Sequence, residues 1–324
     1  MDVMRSLGHA ADARRSRSRD EPRADARRRG AHGRRPRAAA GRRAVPAGAN
    51  LPIDAVRSAG TDHAIYRLGE RLAVRLPRIE SATAQIAKEQ EWLPRLAPHL
   101  PLAIPTPLAK GAPAEGYPWH WSVYGWLDGE TATTATIEDP ADVATRLAKF
   151  VTALRLLDQT DGPPPGAHNF HRGVPLAHRD ASTRAAIVAL DGVVDARLVT
   201  AAWEHALHAA MWQDEPVWIH GDLQPNNLLV HRGMLTAVID FGGLAVGDPA
   251  CDLMVAWTTL AAKTRVVFRA GLDIDDATWA RGRGWALSFG LIALPYYRDS
   301  NPELTRIARV TIDEVLADHQ HTSS

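Results

Sequence analysis

His220-Gly221-Asp222-Leu223-Gln224-Pro225-Asn226-Asn227 is a polar loop, and Ile239-Asp240-Phe241-Gly242 follows it, with Asp240 thirteen residues after Asn227. Each piece alone has an ordinary explanation. His220 reads as a core histidine, Asp222 with Pro225 and Asn226 as a turn, and Asp240-Phe241-Gly242 as a strand end closed by a Gly turn. The context joins them. Val217-Trp218-Ile219 is a short apolar strand entering the loop, Leu228-Leu229-Val230 a second leaving it, and Leu235 to Ile239 a third that ends at Asp240. Strand, polar loop, strand, turn and strand make a hairpin arrangement that brings Asp222, Asn227 and Asp240 together.

Two carboxylates and an amide oxygen in one place suit phosphoryl transfer. That chemistry needs one carboxylate to orient and deprotonate an attacking hydroxyl, and oxygen ligands for the magnesium that bridges nucleotide phosphates. Asp222 suits the first role; Asn227 and Asp240 suit the second. The spacing is that of the kinase catalytic loop, H-x-D-x4-N, followed by D-F-G.

These residues resemble the aminoglycoside phosphotransferase family, a branch of the protein-kinase-like fold. The resemblance runs from about Leu51 to about Asp318 and is strongest at His220 to Asn227, Val238 to Gly242, and Gly247-Asp248-Pro249-Ala250-Cys251-Asp252-Leu253. It is weaker at Gly60 to His63, Tyr66 to Leu68, Leu72 to Pro77, Trp121 to Tyr124, and Trp126 to Glu130. It implies a two-lobed α+β fold, with a small β-rich N-lobe and a larger, mostly helical C-lobe. The implied reaction moves the γ-phosphate of ATP or GTP, with Mg²⁺, to a hydroxyl of a small acceptor. An aminoglycoside-type antibiotic is one such acceptor; a sugar or amino alcohol metabolite is the alternative, and a catalytically silent nucleotide-binding protein of the same fold is another. By the same resemblance, Arg75 grips the phosphates and Glu89 orients it, with Glu91 as rival. Gly60 marks the phosphate turn, and Tyr124 and Trp126 lie in a hinge strand (Trp119 to Leu127) whose backbone meets the adenine edge. His220, Asp248 and Asp252 support the loop. Two departures bear on nucleotide affinity: Arg75 stands where a lysine is usual, and Gly60 is the only glycine of its turn, with His63 where asparagine is common.

The acceptor is expected to be small. Five residues separate Gly242 from Asp248, no A-P-E element follows, and Gly221 replaces the arginine of H-R-D. That leaves no long segment to seat a peptide and no partner for an activating phosphate.

Along the chain, residues 1–48 are rich in Arg, Ala and Gly and are expected to be a disordered tail. Residues 49–130 are expected to form the N-lobe and 131–324 the C-lobe. Three strands are expected from Ile53 to Leu76, then a helix over 81–97 capped by Ser81. A helix opens at Asp139-Pro140 with a stripe of Val143, Leu147, Phe150, Val151, Leu154 and Leu157. Residues 160–178 read as loop, and 182–190 and 196–212 as helices.

Charge is uneven. The first fifty residues hold 14 Arg and 5 acids, a net +9; the whole chain is +1, so the rest carries −8. Nucleic acid is not an expected partner, since only the Arg-rich tail points to it. No run of 18 apolar residues suggests a membrane span, and the single cysteine, Cys251, fits a reducing cytoplasm. Nothing resembles a Cys/His zinc cluster.

Overall fold

A computed structural model describes residues 51–56, 60 and 62–322, so the Arg-rich tail lies outside the described residues. By its contacts the chain divides into two compact units. The first comprises the described residues up to 94 with 105–127; the second comprises 95–104 with 128 onward.

The first unit is one antiparallel sheet and a helix. The strands are β1 (Ile53–Ala55), β2 (His63–Leu68), β3 (Leu72–Pro77), β4 (Pro107–Gly111) and β5 (Trp121–Gly125), in the order β1-β2-β3-β5-β4. β-branched, aromatic and leucine side chains point inward from alternate positions, so that Leu68, Val74, Leu76, Trp121 and Val123 form a buried cluster. Helix α1 (Thr83–Leu96) buries Ile86, Leu93 and Leu96. Gln90 on α1 donates to Ala109 O at 3.1 Å and Ser122 Oγ at 2.8 Å, which anchors the helix to β4 and β5. Ser81 does not cap this helix. A 3₁₀ turn over Glu80–Ala82 precedes α1 and places Ser81 in its middle, and the turn has no side-chain cap bond. Tightening the entry in this way removes the position a cap would occupy.

The second unit starts with β6 (Glu130–Thr131) and α2 (Pro140–Arg155). Asp139 caps α2, accepting from the N–H of Ala141 and Asp142, and the expected stripe is buried from Val143 to Leu154. α3 (Asp180–Ala189) and α4 (Ala196–Leu207) follow, then β7 (Val217–Ile219), β8 (Leu228–His231), β9 (Met234–Val238) and β10 (Ala245–Gly247). β6, β8 and β9 form one sheet, and β7 pairs with β10 in another. The rest is helical: α5 (Val255–Thr258), α6 (Ala262–Ala270), α7 (Asp276–Tyr297) and α8 (Pro302–Thr322). α7 is buried on every side from Thr278 to Leu291, packed by α3, α4 and α8. Arg265 on α6 and Arg283 on α7 both pair with Asp318 on α8, at 3.2 and 3.1 Å. No helix among the described residues is long and apolar enough to cross a membrane.

Candidate active site

In the second unit, β7 delivers the polar loop. Asp252, fully buried, accepts at 2.7 Å from both backbone N–H groups that follow the strand, His220 N to Oδ2 and Gly221 N to Oδ1. Burial raises the pKa of its carboxyl, against the pull of His220 and these two donors. Gly221 sits at φ +82°, and a Cβ there would lie 2.4 Å from Gly243 O. Only glycine lets the loop press this closely on the turn after β9.

His220 locks loop to strand. Asp222 N donates to its Nδ1 at 3.2 Å, and its Nε2 lies 3.0 Å from Ile239 O. A donor on one side and an acceptor on the other place the proton on Nε2. The ring also meets Phe241 edge-on at 4.5 Å. Both neighbours of Asp240 are thereby held by His220, and Ile239 N donates to Asn227 O at 2.9 Å. Asp240 itself takes a left-handed conformation, φ 64° and ψ 68°, a strained backbone for a non-glycine residue.

Asp222 is gripped on one oxygen. Its Oδ2 accepts from Gln224 Nε2 at 2.9 Å and Asn227 Nδ2 at 3.1 Å; Oδ1 lies 3.5 Å from Arg172 Nη2. Asn227 Nδ2 also donates to Asp222 O at 2.9 Å. With its NH₂ spent on Asp222, what Asn227 offers a cation is its amide oxygen. An amide oxygen and the Asp240 carboxylate are hard ligands of the type magnesium takes, and magnesium keeps several waters. The donor set therefore fits that ion, although no three His, Cys, Asp or Glu gather as a metal cluster among the described residues.

The first unit holds a buried cation. Arg75 on β3 donates from Nη1 to Glu89 Oε1 on α1 at 2.6 Å, and the Tyr124 hydroxyl donates to Oε2. His63 Nδ1 lies 3.3 Å from Arg75 Nη2. Burial, then the charge of Glu89, raises the Tyr124 pKa, so the phenol stays a donor. Glu91 is exposed. The expected hinge stretch contains β5. Tyr124 lies within the sheet, and its side chain fixes Glu89. The N–H groups of Gly125 and Trp126 donate to Thr106 O and Arg71 O, at 3.0 and 2.7 Å. Trp126 stacks under Arg67 at 4.5 Å. Gly60 is exposed, and residues 57–59 and 61 around it are outside the described set.

A model of the phosphotransferase enzyme family matches residues 55–285, most of the chain and both of the regions just described. The chain belongs to the phosphotransferase enzyme family. Solved structures agree in fold. The GDP and kanamycin complex of APH(2")-IIia is similar at 18% identity over 84% of this chain and 95% of that one, with a TM-score of 0.63. The apoenzyme of the macrolide 2'-phosphotransferase MphH from Brachybacterium faecium is similar at 24% identity over 80% and 94%, with a TM-score of 0.53. The streptomycin-ATP-APH(2")-IIa ternary complex is similar at 17% identity over 75% and 86%, with a TM-score of 0.52. At these identities the likeness is one of fold, the kinase-like α+β fold. No curated protein matches the chain.

Several residues around this phosphotransferase's loop carry no sequence signal. Asn169, fully buried, donates from Nδ2 to Arg172 O at 2.8 Å and Gly243 O at 3.2 Å, tying a distant loop to the turn after Asp240. Arg281 on α7 makes a two-pronged pair with Asp248, Nε to Oδ2 at 3.1 Å and Nη2 to Oδ1 at 3.2 Å. Asp248 also caps the turn at Ala250 N. Asn169 and Arg172 stand in a stretch that reads only as Pro/Gly/His loop, and Arg281 is 33 residues from its partner. Cys251 is inert in this phosphotransferase: it is fully buried, its Sγ donates to Gly221 O at 3.6 Å, and burial pushes its pKa up to about 12. Iodoacetamide at mildly alkaline pH should leave the native protein unmodified, and in guanidinium it should add one equivalent by intact mass. Rapid labelling of the native protein would contradict the burial argument.

Proposed function

We propose that this phosphotransferase is a Mg²⁺- and nucleotide-dependent kinase that moves the γ-phosphate of ATP or GTP to a hydroxyl of a small molecule. The observation that carries the reading is Asp222. One of its oxygens is fixed by Gln224 and Asn227 while the other stays turned toward Arg172. In this role Asp222 orients the acceptor hydroxyl and takes its proton. Asn227 and Asp240 hold the magnesium, which when bound offsets phosphate charge. Arg75, fixed by Glu89, supplies a planar, permanently charged donor for phosphate oxygens. A small acceptor is supported by the chain after Asp240. It makes one 3₁₀ turn, Phe241–Gly243, and then pairs as β10 with β7, leaving no extended segment to dock a peptide. Solved structures similar in fold include complexes with GDP, ADP and ATP.

Equilibrium titration of the full chain with ATP and GTP, with and without Mg²⁺, tests the metal half of the assignment. Asp240→Ala and Asn227→Ala should each raise the magnesium concentration needed for half-maximal binding by about tenfold or more, the scale of one lost charge-assisted contact. Nucleotide binding that ignores magnesium, and is unchanged in Asp240→Ala, would remove these two residues from the metal. Glu89→Gln should weaken nucleotide binding about tenfold while leaving the magnesium requirement unchanged, because Glu89 holds Arg75 and Tyr124 and neither of the proposed magnesium ligands.

A further inference from the structure

Beside Asp222 stands a group of donors with too few acceptors. Arg172 and Arg179 both lie against the Trp285 ring, with Cζ 5.9 and 5.4 Å from its centroid. Trp285 is fully buried and its Nε1 makes no hydrogen bond; Arg172 Nη1 makes none either. Arg179 Nε donates to a neutral partner, Ser288 Oγ, at 3.1 Å. Among the described residues, the one carboxylate paired with either guanidinium is that of Asp222. Burial first, and the charge of Arg172 second, lower the pKa of Arg179 to about 10, so the two cations repel each other without a full counter-charge.

Arg172 is not loosely held. Phe170 and His171 just before it both adopt left-handed backbone, φ 57° and 56°, and Asn169 pins its carbonyl. Strained backbone that the surroundings hold in place is a mark of a position under functional constraint. Two neighbouring cations, of which only Arg172 faces a carboxylate, would repel an acceptor bearing ammonium groups at the place where its hydroxyl must be presented. They would attract an anion, and guanidinium groups match the oxygens of carboxylate and phosphate in geometry.

We propose that the acceptor carries a carboxylate or phosphate group close to the hydroxyl it presents to Asp222, and that Arg172 and Arg179 hold that anion. The hydroxyl half of this statement rests on the kinase reading; the anion half does not. The acceptor class is then a hydroxy acid or a polyol phosphate, and Arg179 is a specificity residue.

Calorimetric titration of the full chain without nucleotide separates the two halves. The probes are D-glycerate, glycerol 3-phosphate, the neutral amide of glycerate, and serinol, which carries an ammonium in their place. At least one anion should bind about tenfold or more tightly than the amide, and serinol should not bind. The preference between glycerate and glycerol 3-phosphate tells carboxylate from phosphate. Arg179→Gln should lose at least about tenfold in anion affinity with the amide unchanged, whereas Arg179→Lys, which keeps the charge, should lose less. If Arg179→Gln does not fold, Arg172→Gln gives the same comparison. Serinol binding as tightly as glycerate, anions binding no better than the amide, or Gln variants that bind anions like the parent would each overturn the proposal. Anion binding with no turnover of any probe under Mg-ATP or Mg-GTP would count against the kinase reading and leave the anion site standing.

Discussion

Asp222→Ala should lower kcat by about a hundredfold to ten-thousandfold, the range that a positioned general base contributes, while nucleotide affinity stays within a few-fold of the parent. The size follows from geometry. Asp222 follows a loop whose backbone is fixed from behind by Asp252 and whose side chain is fixed by Gln224 and Asn227. Nothing in that frame depends on the Asp222 carboxylate for burial, since the residue is partly exposed. The fold should therefore survive, and the loss should fall on the chemical step. Single-turnover kinetics with saturating nucleotide separates this from a binding defect. Asp222→Asn should behave alike, because an amide keeps the shape but cannot take the proton. A variant that keeps most of its single-turnover rate would show that the base lies elsewhere.

Asp252→Ala should destabilise the protein by about 2–6 kcal/mol, since it orphans two buried N–H groups at about 1–3 kcal/mol each. Those donors, His220 N and Gly221 N, have no other acceptor within the loop's own turn, and Gly221 cannot retreat because Gly243 O lies behind it. Urea unfolding measures the loss, and amide exchange at His220 and Gly221 should accelerate with it. Asp252→Asn keeps one acceptor and should cost less. The sign of its pH dependence also follows. Burial raises the folded-state pKa of Asp252 above its unfolded value, so its contribution falls as pH rises through the folded-state value. The Asn variant should lack that slope. An Asp252→Ala protein as stable as the parent would mean that the two N–H groups find other partners.

What the sequence made legible is what lies close together along the chain. The strands around the loop, the cap at Asp139, and the stripe of α2 depend on residues within a turn or two of each other, where alternation, 3.6-residue spacing and cap chemistry act. The ion pair of Arg75 with Glu89 spans 14 residues and came only through a family resemblance. Arg172, Asn169 and Arg281 were not legible. Each meets its partner through packing of helices and loops that share no local pattern, and an arginine or asparagine in a loop carries no signal of its distant neighbour. α7 hid for another reason: buried on all sides, it shows no polar face to reveal its period. Ser81 does not take the cap role that local chemistry offered it, because a 3₁₀ turn tightens the helix entry.

The most direct test of the central claim follows the phosphoryl group itself. Phosphorus NMR of the full chain with Mg-ATP or Mg-GTP, and with acceptors bearing anionic, neutral or ammonium groups beside a hydroxyl, reads donor and product together. The expected result is loss of the γ-phosphate signal, matching growth of ADP or GDP, and a new phosphate monoester on an acceptor, all absent with Asp222→Ala. Nucleotide that binds with magnesium yet yields no monoester on any acceptor would contradict it, and would leave a kinase fold that holds nucleotide without transferring phosphate.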